Sequence, residues 1–377
     1  MAWRRYYVTF LAILWCFATV DRAHCAEGLT LEYRGKIRLD VDQTVDQNGK
    51  PFQIVGLSGI TNLGGNRYAS VMDNSNHVVA LKITCKDDGT ISAATVLGGL
   101  SVATSRDYEG IAYTSSTRFS VFLSNEATPP PPALYEYNLK TGTLMQTVAM
   151  PSVFIHQVDN RGLESLTRRP DGKEIWTANE EALTVDGPPA TTSAGTVVRL
   201  VRFVVNGNDV QAAEQYAYNV EPIHPGLGKP YSSGLSDLCE LADGTLLTLE
   251  RSAVEGLPVF QTRIYQVDFS GATDVSRGVL ADGLIGQQYT PVKKTLLLKS
   301  ATIGENLEGI CVGPKLANGN QVILGVVDSG DPVSKNTIVA FELSATTPLP
   351  MGVILGGAGG SFLAIATAAA LARRKNS

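Results

Sequence analysis

From about residue 30 to 345 the chain is a succession of short apolar runs separated by polar turn clusters. Runs rich in Val, Ile, Thr, Tyr and Leu fall at residues 68–72, 78–83, 119–123, 133–139, 174–178, 197–203, 245–249, 263–267, 322–327 and 337–343. Each is too short for a helix, and many are enriched in the branched and aromatic residues that suit a pleated, half-buried surface. Between them lie Asp88-Gly89, Thr141-Gly142, Asp171-Gly172, Asn206-Gly207 and Asp243-Gly244, which supply the positive φ of tight hairpin turns. Long helical periodicity is confined to the two termini. The pattern therefore predicts an all-β body built from hairpins.

A longer period overlies the short one. A phrase recurs five times: Gly56-Leu57-Ser58-Gly59-Ile60, Asp107-Tyr108-Glu109-Gly110-Ile111, Gly162-Leu163-Glu164-Ser165-Leu166, Gly234-Leu235-Ser236-Asp237-Leu238 and Asn306-Leu307-Glu308-Gly309-Ile310. Each is followed by a strand that ends in an acid, respectively Asp73, Glu126, Glu180, Glu250 and Asp328. About four short strands in roughly 40–50 residues is the signature of a propeller blade. The expected fold is a β-propeller of five to seven blades. Six is the favoured count, because the wide spacings after Gly162 and Gly234 leave room for a weakly marked unit. A large β-sandwich or a parallel β-helix is the competing architecture. The stretch from Glu126 to Pro132, and that from Asp186 to Gly195, follow terminal acids and read as loops on the same face.

The ends set the compartment. Residues 1–26 combine early arginines, an apolar run and small residues at 23 and 26, as a secretory signal peptide does. Cys25 lacks the upstream apolar residue expected of a lipidation site. Residues 27–345 form the body. In residues 346–377, Pro348-Leu349-Pro350 precedes an apolar stretch and then Arg373-Arg374-Lys375, which predicts a transmembrane helix with a cytoplasmic C-terminus. This three-part tail resembles the PEP-CTERM sorting signal, with Pro-Leu-Pro in place of Pro-Glu-Pro; an unprocessed anchor is the alternative. The expected location is the cell surface, the periplasm or the exterior, with the protein anchored or released after processing.

Composition narrows the chemistry. An acidic balance, with a pI near 5.5, carries no footprint for nucleic acid. The body's cysteines, Cys85, Cys239 and Cys311, are few and far apart, so at most one bridge forms. Four histidines, one of them in the signal segment, leave little for histidine-based metal chemistry. His77, His156 and His224 stand outside any motif, and no Gly-x-Ser-x-Gly elbow is present.

The recurring acids offer more. In a propeller, equivalent strand ends converge on one axis, so Asp73, Glu126, Glu180, Glu250 and Asp328 are expected to form one layer, and Glu109, Glu164, Asp237 and Glu308 a second. Carboxylates at that density require something cationic among them, and an all-oxygen donor set suits Ca²⁺. Arg106, Arg161 and Arg251 sit beside these acids and can clamp an anion in a bidentate fork. The alternative is that arginines and acids pair off as ties between blades.

The five phrases, together with Asn160-Arg161 and Leu249-Glu250-Arg251, resemble the phytase-like, esterase-like domain family over about residues 56–343. β-propeller phytases hydrolyse phosphate monoesters with Ca²⁺ held in an acidic channel. The resemblance implies an exported, metal-dependent phosphoric ester hydrolase, monomeric and acting on an anionic small molecule. In that reading Asp73, Glu109, Glu164, Glu308 and Asp328 are metal ligands, Glu126, Glu180, Glu250 and Arg251 are catalytic, and Arg106 and Arg161 bind substrate. A non-catalytic propeller that binds a glycan, peptide or protein partner is the other class. Esterase action on a carbon ester ranks last, for want of a nucleophile and base.

Overall fold

The computed structural model describes residues 28–39, 41–300, 303 and 305–345. The predicted signal peptide and C-terminal segment lie outside them; among the described residues no helix is long and apolar enough to cross a membrane.

Five four-stranded antiparallel sheets follow one another along the chain. The N-terminal strand β1 (Leu29–Arg38) and a small hairpin, β2 (Gln43–Val45) and β3 (Pro51–Gln53), precede the first blade. Blade 1 is β4 (Leu57–Gly64), β5 (Arg67–Met72), β6 (His77–Cys85) and β7 (Ile91–Ser101). Blade 2 is β8 (Tyr108–Tyr113), β9 (Ser120–Asn125), β10 (Ala133–Asn138) and β11 (Leu144–Ala149). Blade 3 is β12 (Leu163–Arg168), β13 (Glu174–Asn179), β14 (Thr196–Asn206) and β15 (Asp209–Val220). Blade 4 is β16 (Pro230–Glu240), β17 (Leu246–Val254), β18 (Phe260–Asp268) and β19 (Lys293–Ser300). Blade 5 is β20 (Asn306–Lys315), β21 (Gln321–Asp328) and β22 (Thr337–Ala345), and its outer strand is β1, paired from Leu29 with Ala345 to Arg38 with Thr337.

The all-β propeller reading holds, with five blades rather than six. The wide spacings that suggested a hidden unit are taken up inside blades 3 and 4. There β14 and β15 run to 11 and 12 residues, and the β18 to β19 connection carries a 3₁₀ turn over Gly278–Ala281. Hairpin turns form where the sequence marks them: Gly89, Gly172 and Gly244 have φ of 80°, 78° and 87°, and Asp88 Oδ1 accepts the Thr90 N–H at 2.9 Å.

Each junction between blades carries its own apolar core. Leu57, Leu81, Leu324 and Ile338 fill that between blades 5 and 1; Val71, Tyr108 and Leu123 that between 1 and 2; Phe122, Leu134, Leu166 and Phe203 that between 2 and 3. Trp176, Leu200, Leu235 and Val267 fill the next, and Leu249, Ile264, Ile323 and Phe341 the last. At about 1.5–3 kcal/mol for each fully buried large side chain, these contacts are what hold the blades in a ring.

The five innermost strands meet at one level of the axis. A Cβ on Gly59 would lie 2.6 Å from the Glu109 carbonyl oxygen, one on Gly110 2.5 Å from the Leu166 nitrogen, and one on Gly309 2.2 Å from the Ser58 carbonyl oxygen. Only small residues or a structural acid fit there. The acid is Asp237, which accepts the Leu166 N–H at 3.3 Å and the Ile310 N–H at 2.7 Å, tying blade 4 to both neighbours. Asp237 is thus a waist residue and does not belong to the second carboxylate layer in which the sequence placed it.

Candidate active site

On one side of this waist, equivalent positions are fixed by strand register. The Asp73 N–H bonds the Gly56 carbonyl at 2.7 Å, that of Glu126 the Asp107 carbonyl at 2.9 Å, and that of Glu180 the Gly162 carbonyl at 2.7 Å. In blade 5 Asp328 stands opposite Asn306, and in blade 4 it is Arg251 that stands opposite Gly234. The outer layer is therefore Asp73, Glu126, Glu180, Arg251 and Asp328, four acids and a cation. The inner layer is Ser58, Glu109, Glu164, Ser236 and Glu308.

Glu250, one residue earlier on β17, does not join them. Its carboxylate accepts the Tyr218 hydroxyl at 2.8 Å, the Glu221 N–H at 3.1 Å and Lys294 Nζ at 2.7 Å, within the sheet of blade 4 and its border with blade 3. Because side chains alternate along a strand, an offset of one residue sends Glu250 to the opposite face from Arg251. The expectation that Glu250 completes the acidic layer is corrected accordingly.

Two halves of the ring differ in charge. On one side the Arg251 guanidinium reaches Glu180 Oε1 at 2.8 Å, Glu308 Oε1 at 2.9 Å and Asn306 Oδ1 at 3.0 Å. Asn306 Nδ2 then donates to Glu308 at 2.8 Å and to Asp328 at 3.0 Å. Arg161 reaches Glu180 Oε2 at 3.1 Å and Glu181 at 3.3 Å, and lies over the Tyr231 ring. The sequence expected Arg161 and Arg251 to be free clamps; both are engaged by carboxylates.

On the other side one ligand atom from each of Asp73, Asp107 and Glu109 lies within 4.8 Å of the others, and the same holds for Glu109, Glu126 and Glu164. Glu109 belongs to both groups. Burial and the facing carboxylates Glu164, Asp73 and Glu126 raise Glu109 well above the usual range, and burial with Glu126 and Glu180 does the same to Glu164. Burial lifts Glu126 to about 9, helped by Glu180 and Asp107, and lifts Asp107 to about 7, helped by Asp73. Glu308 is lifted to about 8 by burial despite Arg251, and Asp328 is also raised. Without a cation these groups share protons, since like charges so close cannot all ionise. Asp107 Oδ1 is buried with no hydrogen-bond partner. Asp107 was legible as the first residue of its phrase but was not singled out; its counterpart Asn306 shows that this position also feeds the site.

Arg106 differs from the other two arginines. Its guanidinium sits 4.5 Å from the Tyr135 ring centroid, its Nε is buried without a partner, and no carboxylate pairs with it among the described residues. Two of the histidines are structural: His224 bonds Ser252 and the Pro258 carbonyl, each at 2.8 Å, and His77 stacks on Phe52. Cys85, Cys239 and Cys311 are free thiols.

Comparison with solved structures gives distant matches. An endo-arabinase from Bacteroides thetaiotaomicron VPI-5482 is 13% identical with a TM-score of 0.41, over 82% of this chain and 99% of that one. The N-terminal domain of Nup159 is 10% identical at 0.34, over 84% and 96%. The Dos1 propeller is 9% identical at 0.33, over 80% and 72%. Scores this low carry no argument about function. No curated protein matches the chain. The family model described as Phytase-like, esterase-like activity of phytase, matches residues 53–329, a span that begins just before the first blade and ends one residue beyond the ring acid Asp328. The chain belongs to the phytase-like family.

Proposed function

We propose that the protein is a hydrolase of phosphate esters that works with Ca²⁺ held among Asp73, Asp107, Glu109, Glu126 and Glu164. The observation that carries this reading is the pair of carboxylate groups sharing Glu109, buried except for the half-buried Asp73, none of which forms an ion pair among the described residues. The donor set fits such an ion: oxygen ligands only, an orphaned Asp107 oxygen, and acids driven to hold protons in its absence. A bound Ca²⁺ would supply neutralisation of the phosphate charge and polarisation of its P–O bonds.

The chain's own groups supply the rest. Arg106, unclaimed by any carboxylate, binds a phosphate oxygen beside Asp107. Glu126 receives the Gly162 N–H on Oε1 at 3.1 Å, which leaves Oε2 as the atom to take a proton from an attacking water. Arg161 and Arg251 fix Glu180 from both sides, so these three shape the wall of the site and orient what enters it. Export by the N-terminal segment would bring the protein to compartments where Ca²⁺ is plentiful.

Phosphate release from phytate and a panel of small phosphomonoesters, with Ca²⁺ and with chelator, tests the reading. Release that requires Ca²⁺ and falls at least about a hundredfold in Glu126→Gln is expected, the size of a lost general base. No release on any ester in either condition would leave a binding propeller as the better account.

A further inference from the structure

Beyond the waist, at the end of the axis away from the carboxylates, the inner strands splay around a cavity of about 380 Å³. Its polar wall includes Thr61, Tyr113, Thr114, Thr167, Arg168, Arg169 and Glu240, that is, hydroxyls, one carboxyl and two guanidiniums, of which that of Arg169 is already held by Asp171 and Glu174. The size lies within the range of small-molecule pockets.

Arg168 is the anomaly. The neighbouring arginines are matched by acids: Arg118 by Glu136, Arg169 by Asp171 and Glu174, and Arg202 by Glu174 and Glu214. Among the described residues no carboxylate forms an ion pair with Arg168; Asp171 and Glu136 act on it only at longer range. Its Nη1 donates to the Thr114 carbonyl, its Nη2 to the Gly172 carbonyl at 2.8 Å, and its Nε is buried with no partner. Burial accordingly lowers the Arg168 pKa, whereas hydrogen bonds to Glu136 and Asp171 raise Arg118 and Arg169. A partly buried guanidinium bound only to neutral carbonyls is a charge awaiting its counterion.

Glu240 supplies a second, independent sign. It is 2% exposed, its Oε2 has no partner, and burial raises it to about 8, with Glu174 adding to the shift. Burial thus favours the neutral carboxyl, which can donate an O–H into the cavity, while Arg169 and the Trp176 N–H pull toward the charged form. Arg168 and Glu240 thus face one cavity, and the buried Arg168 Nε and Glu240 Oε2 have no hydrogen-bond partner among the described residues.

We propose that this cavity binds a small oxyanion, of phosphate or carboxylate type, with Arg168 as its counterion and Glu240 and the threonine hydroxyls as further partners. The site is separate from the acidic ring, because the five inner strands close the axis between them. It also stands whether or not the ring holds Ca²⁺.

The test is calorimetric titration of inorganic phosphate into the full-length protein in the presence of chelator. Arg168→Gln is expected to weaken binding about tenfold or more, the effect of losing a charged hydrogen-bond donor, while Arg277→Gln, at an exposed arginine that does not line the cavity, changes it less than about twofold. Undetectable binding to the wild type, equal affinity in Arg168→Gln, or loss in Arg277→Gln alone would each overturn the proposal. Should Arg168→Gln fail to fold, hydrogen exchange on the wild type replaces it. Phosphate should slow exchange over residues 166–170, and an unchanged rate there would refute the site.

Discussion

The two halves of the carboxylate ring are built from equivalent positions of the same repeat, yet they solve the problem of crowded negative charge differently. Around Arg251 the chain supplies its own cation, and Glu180, Glu308, Asn306 and Asp328 close into a bonded network. Around Glu109 five acids meet across blades 1, 2 and 3, and none of them forms an ion pair among the described residues; Arg161 and Arg251 act on Glu126 and Glu164 only at longer range. One substituted position, an arginine where the other blades carry acids, converts a ligand-poised layer into a self-satisfied one. The first half is closed by its own ion pairs, and the second keeps the carboxylate groups that could hold a cation.

The sharpest way to break this contrast is to remove the cation. Arg251→Met strands Glu180 and Glu308 in the interior, and truncating one partner of a buried charge network costs about 3–5 kcal/mol. Urea unfolding at pH 7.5 should reveal the loss, and added Ca²⁺ should recover part of it if the two halves become alike. A loss below about 1 kcal/mol would mean that Arg251 does not hold that half together.

In the other half the sign is reversed. Carboxyls whose folded pKa is raised stabilise the fold fully below their ordinary range, near pH 4, and that contribution is lost as pH rises through the folded values. For Asp107 and Glu126 these lie at about 7 and 9. The chelated protein should therefore lose stability steadily between about pH 4 and 9. Glu126→Gln should flatten the slope and make the chelated protein on the order of 2–4 kcal/mol more stable at pH 8. A stability that rises over that interval would rule out the raised acids as the dominant groups.

Ca²⁺ gives a smaller, opposite shift. Saturation at about a hundred times Kd adds about 2.7 kcal/mol. Melting curves at pH 8 should show that gain in the wild type, its disappearance in Glu109→Gln, which removes the residue common to both groups, and its retention in Glu308→Gln. Equal gains in both variants would place the ion elsewhere. Smallest of all, Glu250→Gln weakens the bonds to Tyr218, the Glu221 N–H and Lys294 and the longer pair with Arg263, all outside the carboxylate ring. It should cost about 1–2 kcal/mol while leaving the Ca²⁺ response intact.

Much of this was legible in the residues. The alternation and turn pairs gave the strands, the five phrases gave the blades, and strand-terminal Asp73, Glu126, Glu180 and Asp328 gave the outer layer. What failed was a parity count. Leu249-Glu250-Arg251 ends in an acid next to a basic residue, and choosing the acid by its type displaced the layer by one residue. Counting from the phrase does not decide it, because the other ring acids lie 17, 19, 18 and 22 positions after Gly56, Asp107, Gly162 and Asn306; the pairing of Gly234 with Arg251 does. Asp237 misled in the same way, because a carboxylate bonded to backbone N–H groups at a waist cannot be told by type from one facing a cavity. The blade count was hidden because insertions lengthen strands as readily as they add units. Arg168, finally, carries no sequence signal; its lack of a counterion exists only in three dimensions.

The pairing of β1 with β22 joins residues more than 300 positions apart. Its consequence is temporal. Blades 1 to 4 can form as the chain arrives, but the last blade lacks its outer strand until the C-terminal strands fold back on the first one, so the slowest contact is also the one that completes the circle. Until then β22 offers an open edge of backbone donors and acceptors to any extended segment nearby. A second copy's β1 is the best-matched such segment. Loss of residues 29–38, or crowding during folding, should therefore yield strand-exchanged chains and aggregates rather than a loosened monomer.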